Sequence, residues 1–507
     1  MKTAKRILSV VLSLMVLFTG LVPVYATTEA AEETTAPLTA DDTADDEAEK
    51  PSEEGEADKN TAALEKQWAN TEEAKRGITV NPGKNDSERN FHWYMPSDAK
   101  ACEVLISENE DMKDAEGFTG EIITTYQGDK AAKVTVTGLE ENKTYFYTCV
   151  TDDEKSAVYS FRTDDETFSA LYMSDIHVYD NPEDETSLKK TSFAFADLLF
   201  KAQQNSDISL ILSGGDMATE GQRVEYEGLT FSEASRSLTF ANVMGNHDRH
   251  SFDFKYFTNF PNEMFGAMSG YQSGNYYFVK GDVLFLVVDT NNASASAHRS
   301  MIKQAVKEHP EAKWRVVMMH HDLYGGSIPH RESECKLLRI LFSPIFDEFH
   351  VDLVLMGHSH HYSVSDVIYN SKSVEKIEDG KTVNNAAGTV YLVSTSIGRP
   401  EEDAEIVYSD LVSIGMEKLT DSYYNVLDFS SDSIKVTTYN LETNEEYINF
   451  TLEKDDDYTP AKIGFFRKIG GIMAGWLSTV YGIYVNADRY FSLKKDGYKA
   501  PFFEFVF

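Results

Sequence analysis

Three cysteines in 507 residues, Cys102, Cys149 and Cys335, are too few to staple a chain of this length, so a disulfide scaffold is excluded. Cys102 and Cys149 either pair, if their strands are neighbours, or stay as buried thiols that behave as small hydrophobes. Cys335 opens an apolar helical pattern and reads as structural. Cations are also scarce: 47 Lys and Arg stand against 83 Asp and Glu, a net charge of -36. That balance removes the attraction on which non-specific binding to nucleic acid or anionic lipid depends, and no nucleic-acid binding is expected. Long apolar runs are missing too. Residues 7–21 and 469–485 are uncharged, but each falls short of the about twenty residues that a bilayer crossing needs.

What is present divides by composition. The chain starts with Lys2, Lys5 and Arg6, continues through the apolar run and reaches Val24-Tyr25-Ala26, the order of a secretory signal cleaved after Ala26. Residues 27–60 hold thirteen Asp or Glu against two Lys and almost no aliphatic or aromatic side chains. Such a segment cannot bury enough surface to offset its ordering entropy, so residues 27–75 are expected to form a disordered acidic linker or wall-spanning stalk. Residues 76–164 alternate short β patterns with polar turns, near 90–95, 103–107, 120–125, 133–137, 144–151 and 157–163, as a β-sandwich does. Leu139 and Tyr145, six apart before a strand, resemble the tyrosine corner of fibronectin type III domains.

From residue 165 to about 455 the rhythm changes to strands alternating with helices. Strands are expected at 168–174, 208–212, 238–244, 283–289, 314–319, 352–356 and 388–396, with a final pair at 424–429 and 433–440. Helices are expected at 188–204, 300–308 and 335–346. This is an α/β domain whose sheets are covered by helices. Residues 456–507 form an aromatic tail; the glycine-bearing 469–485 stretch suits an interfacial or docked helix better than a span, and the tail suits an envelope contact.

Several of those strands run out into metal-type side chains. The first is followed by Asp175-Ile176-His177, the second by Gly214-Gly215-Asp216 and the third by Gly245-Asn246-His247-Asp248. Later ones give His320-His321 and Gly357-His358-Ser359-His360-His361. Carboxyl ends of strands are where α/β sheets gather ligands, so residues far apart in sequence can converge. Mixed oxygen and imidazole donors suit Fe, Mn, Zn or Co rather than Ca or Mg. The donors are too numerous for one open catalytic ion, whereas two ions about 3.5 to 4 Å apart would use them all.

The ordered blocks Asp-x-His, Gly-Asp, Gly-Asn-His-Asp, His320 after an apolar strand, and Gly-His-x-His resemble the calcineurin-like metallophosphoesterases. With the preceding sandwich, the layout is similar to the purple acid phosphatase branch. The resemblance implies a metallophosphoesterase-type β-sandwich covered by helices behind an all-β fibronectin type III-like domain. It implies one metal on Asp175, His177 and His360, a second on Asn246, His320 and His358, and Asp216 bridging them. A bridging hydroxide would be the nucleophile, and His247 would serve the leaving oxygen with its ring oriented by Asp248. Arg249 and His330 are candidates for contact with substrate phosphate. The branch normally carries Asp-x-Gly and a Tyr three residues after the bridging Asp; here His177 and Thr219 stand at those places, so no tyrosinate-to-iron colour is expected. The expected function is exported hydrolysis of small phosphate esters, most simply monoesters. Two alternatives stand beside it: a phosphodiesterase acting on cyclic nucleotides or nucleotide-sugars, and a non-catalytic surface adhesion protein.

Overall fold

The structure is a computed structural model that describes residues 53–478, apart from 185, 265–273, 293, 328–331, 400–404, 408–409, 417–418, 456–457, 466, 474 and 477. The expected signal segment, residues 27–52 of the acidic stretch, His330 and the tail beyond residue 478 lie outside the described residues.

Strands Phe168–Met173, Ile208–Ser213 and Thr239–Asn242 run parallel at the centre of an eleven-stranded sheet. A seven-stranded sheet faces it, with Val283–Val288, Trp314–Met319, Leu353–Met356 and Val390–Val393 parallel to one another. Apart from Arg315, these strands are apolar at every position because both faces are covered. Phe285, Val316, Met318, Leu353 and Leu355 point into the core between the sheets. Their neighbours Leu284, Val317, Met319, Val354 and Met356 point outward, beneath helices Ala295–Glu308 and Glu332–Glu348. The period of two along each strand thus builds two cores at once.

The N-terminal sandwich has its own core, with Trp93, Phe91, Tyr147 and Phe161. Tyr145 Oη accepts the Glu140 backbone N–H at 2.9 Å, tying the corner to the following strand. Cys102 and Cys149 are buried free thiols; Val104, not Cys102, lies opposite Cys149. The sandwich is joined to the α/β domain by more than a linker. Thr79–Pro82 pairs in parallel with Thr239–Asn242, so the eleven-stranded sheet runs through both.

The stalk expectation is corrected over part of its length. Glu53–Ala69 and Thr71–Ala74 are helical, and Leu64 and Trp68 pack with Phe193, Ala196 and Phe231. The stretch is acidic, but these two side chains meet an apolar seat contributed by the distant helix Ser187–Asn205 and by Phe231. That seat supplies the burial that local composition lacks.

Candidate metal centre

Beyond the central strands the backbone turns abruptly. Asp175, His177, Asp216, His358 and His360 all adopt positive φ, between 49° and 73°. Left-handed backbone is uncommon outside glycine, and its clustering in donor residues marks a site whose geometry the surrounding fold enforces. The neighbouring glycines make the approach close. A Cβ on Gly245 would overlap the backbone and carboxylate of Asp216, and one on Gly357 would overlap Ser174 and Asp175.

The donors converge in two linked groups. His177 Nε2 lies 3.2 Å from His360 Nε2, which is 3.3 Å from Asp175 Oδ1. On the other side His320 Nε2 lies 3.0 Å from Asn246 Oδ1, 3.2 Å from His358 Nδ1 and 3.3 Å from Asp216 Oδ2. Asp216 Oδ2 is also 3.9 Å from His177 Nε2, so this carboxylate joins the groups. Ligand atoms set tetrahedrally about 2.1 Å from one ion stand about 3.4 Å apart. The separations within each group, 3.0 to 3.3 Å, lie near that spacing, and the set fits the two transition-metal ions that its chemistry suggests.

Surrounding contacts aim the rings. His320 Nδ1–H donates to the Gly214 carbonyl at 2.9 Å, and His360 Nδ1–H to the Arg399 carbonyl at 3.1 Å. Since a carbonyl can only accept, each contact leaves Nε2 as the nitrogen turned to the site. Asp175 Oδ2 accepts from Ser174 Oγ at 2.5 Å and from the His358 N–H at 2.9 Å, leaving Oδ1 for the cluster. Burial alone would raise the Asp216 carboxyl, but the charge and hydrogen bond of His320 and the charge of His177 hold it well below the usual range. Burial pushes His177 down to about 3. At His320 burial is outweighed by Asp216, which brings the ring up to about 10.

His247 is half-buried beside the first group, its ring centroid 4.7 Å from that of His177. The expectation that Asp248 orients this ring is corrected. His247 Nδ1–H donates to the Thr219 carbonyl at 2.8 Å. Asp248 turns away into the protein, where it accepts from the backbone N–H groups of Gly245, Ala218 and Met217 and from Tyr226 Oη. The chain enters a short 3-10 turn at Asp248–His250, which sends consecutive side chains in different directions. Burial and the nearby Asp216 raise the Asp248 carboxyl to about 6. No sequence signal marks the Thr219 carbonyl, because every residue carries one.

Arg249 lies against Asn291, at 3.4 and 3.5 Å, and Asn291 in turn donates to the Met244 and Gly245 carbonyls. His321 is buried with Nδ1 2.7 Å from Thr290 Oγ1, its ring 4.4 Å from that of His358. His361 is also buried and is not a surface residue. His330 lies outside the described residues.

A helix-covered sandwich with a bimetal-type donor cluster at its strand ends defines a metallophosphoesterase fold. Residues 168–362 match the calcineurin-like phosphoesterase family, and residues 76–163 match the purple acid phosphatase N-terminal domain. The chain therefore carries a calcineurin-like phosphoesterase domain behind a purple acid phosphatase N-terminal domain. It is similar to a purple acid phosphatase of Glycine max, 28% identical over 166 residues, which are 29% of this chain and 34% of that one. It is also 28% identical over 111 residues to the Fe(3+)-Zn(2+) purple acid phosphatase 12 of Arabidopsis thaliana, covering 20% of this chain and 24% of the relative. The chain thus spans about a third or less of the length of these relatives. The structure of purple acid phosphatase PPD1 from seeds of yellow lupin, Lupinus luteus, superposes with a TM-score of 0.60 at 13% identity, over 76% of this chain and 77% of that one.

Proposed function

We propose that the chain is an exported hydrolase of small phosphate esters that works with a dinuclear metal centre, most simply as a phosphomonoesterase. The observation that carries this reading is the convergence of two donor groups, Asp175, His177 and His360 on one side and Asp216, His320 and His358 on the other, with Asp216 also reaching His177. Asp175, His177 and His360 would hold one ion and Asn246, His320 and His358 the other, with Asp216 between them. Two cations there would polarise the phosphoryl oxygens and make water a competent nucleophile near neutral pH. The chain's own groups supply the rest. His247, with Nδ1 held by Thr219, has Nε2 left to serve the leaving oxygen, while Asp248 builds the turn on which Asn246 and His247 ride. Arg249 sets a positive charge near the same turn, suited to an anionic substrate.

The nitrogen and oxygen donors admit Fe, Mn, Zn or Co, and the iron and zinc in the Arabidopsis relative's name support that range. Export is read from residues 1–26; cell fractionation checks it. The direct test is a panel of an aryl phosphate, its bis-aryl diester and a cyclic nucleotide with metal-loaded protein. Faster release from the monoester supports the reading, preference for either diester favours the phosphodiesterase alternative, and no turnover on any of them contradicts both.

A further inference from the structure

The turn from Met217 to Gln222 links Asp216 to helix Arg223–Leu229, and it is gripped by one buried side chain of that helix. Glu225 is fully buried. Its Oε1 accepts the backbone N–H groups of Thr219 at 2.8 Å and Glu220 at 2.9 Å, and its Oε2 accepts that of Gln222 at 2.6 Å. A glutamate at the third position of a helix ordinarily reaches back to a single N–H, that of the capping residue. Glu225 makes that bond with Gln222 and takes two more donors, which helix capping alone does not call for. Both lie in the segment whose Thr219 carbonyl receives His247 Nδ1–H at 2.8 Å. The adjacent Tyr226 Oη donates to Asp248 at 3.1 Å, so successive residues of one helix turn hold the loop of Thr219 and the loop of His247.

We propose that Glu225 is a positioning residue for His247: by gathering three backbone N–H groups it fixes the Thr219 carbonyl where that oxygen holds His247 Nδ1–H and turns Nε2 toward the phosphate ester. The inference rests on the phosphate-ester reading above. In hydrolysis the oxygen of water bonds to phosphorus while the bond from phosphorus to the alcohol oxygen breaks. The alcohol oxygen keeps the bonding pair and takes a proton from Nε2, and the proton released by water returns to the ring or to solvent. A good leaving group, such as a dinitrophenolate, departs without that proton; an alkoxide does not. Loss of orientation at His247 therefore falls on alkyl phosphates and spares activated aryl phosphates, whereas a general loss of structure falls on both.

The test compares ethyl phosphate with 2,4-dinitrophenyl phosphate on the metal-loaded full chain, using Glu225→Ala, Glu225→Gln, His247→Ala and the double variant Glu225→Ala with His247→Ala. Glu225→Ala is expected to lower kcat on ethyl phosphate about tenfold or more and on the dinitrophenyl ester less than about threefold, with KM and metal content unchanged. Glu225→Gln keeps an oxygen for Thr219 and Glu220 and falls between; it carries the comparison alone if the alanine variant does not fold. In the His247→Ala background the Glu225 substitution is expected to change neither rate. Equal loss on both esters, or a further loss on ethyl phosphate once His247 is gone, overturns the inference while leaving the hydrolase reading intact. A metal-loaded wild-type chain that cleaves neither ester overturns both.

Discussion

At Asp216 the two carboxylate oxygens have different neighbours. Oδ1 accepts the His247 backbone N–H at 2.7 Å, and Oδ2 faces His320 and His177. One residue thus touches both donor groups and the loop of the proposed acid, so Asp216→Ala is expected to remove metal and turnover together, measured by elemental analysis and phosphate release. A variant that keeps both contradicts the role. His247→Ala separates the functions: metal content should stay while kcat falls by roughly 10² to 10⁴. Loss of metal in that variant would instead make His247 a ligand. The donors were legible in the sequence because their types are unsuited to packing and each follows an apolar strand. The partner of His247 was not, since adjacency favoured Asp248 whereas the acceptor is a main-chain carbonyl without a residue identity. The positive φ of His177, His358 and His360 was equally hidden, because no histidine announces a left-handed backbone.

At the scale of elements, continuous apolar strands such as Val283–Val288 and Leu353–Met356 were readable because burial on both faces leaves no polar position. The helix Glu53–Ala69 was not, since its reason to fold lies more than a hundred residues away. Trp68 packs edge-on against Phe193 and Phe231, at centroid distances of 5.8 and 5.1 Å. Trp68→Ala should therefore destabilise the protein by about 2 kcal/mol. A shift of a few degrees in the thermal midpoint would register it; an unchanged midpoint would mean that the helix does not dock in solution.

Across the whole molecule, the two units share a sheet and a polar seam. Asn81 donates to the Phe240 carbonyl at 2.8 Å and accepts the Asn259 N–H at 2.8 Å. Arg236 is buried, donating to the Thr230 carbonyl at 2.7 Å, to the Glu73 carbonyl at 3.1 Å and to Tyr159 Oη. A composition shift near residue 164 marks where the sequence pattern changes, but it carries no sign of this continuity, which depends on Thr79–Pro82 reaching Thr239–Asn242. Arg236→Ala leaves those acceptors buried without their donor and should cost about 3 kcal/mol. Calorimetry should then resolve two transitions where the wild type unfolds in one; a single undisplaced transition would show that the seam does not couple the units. Among the described residues no helix is long and apolar enough to cross a membrane.

In the proposed function, two ions on the Asp216 cluster make this chain a phosphate-ester hydrolase. That role is checked by stripping the purified protein with a chelator and titrating it back with Mn²⁺, Zn²⁺ or Fe²⁺ while following bound metal and phosphate release. Turnover should be absent in the stripped protein and rise to a plateau at two bound ions per chain, with Asp216→Ala inert throughout. Full turnover without metal, or a well-folded chain that binds two ions and cleaves no phosphate ester, would contradict it.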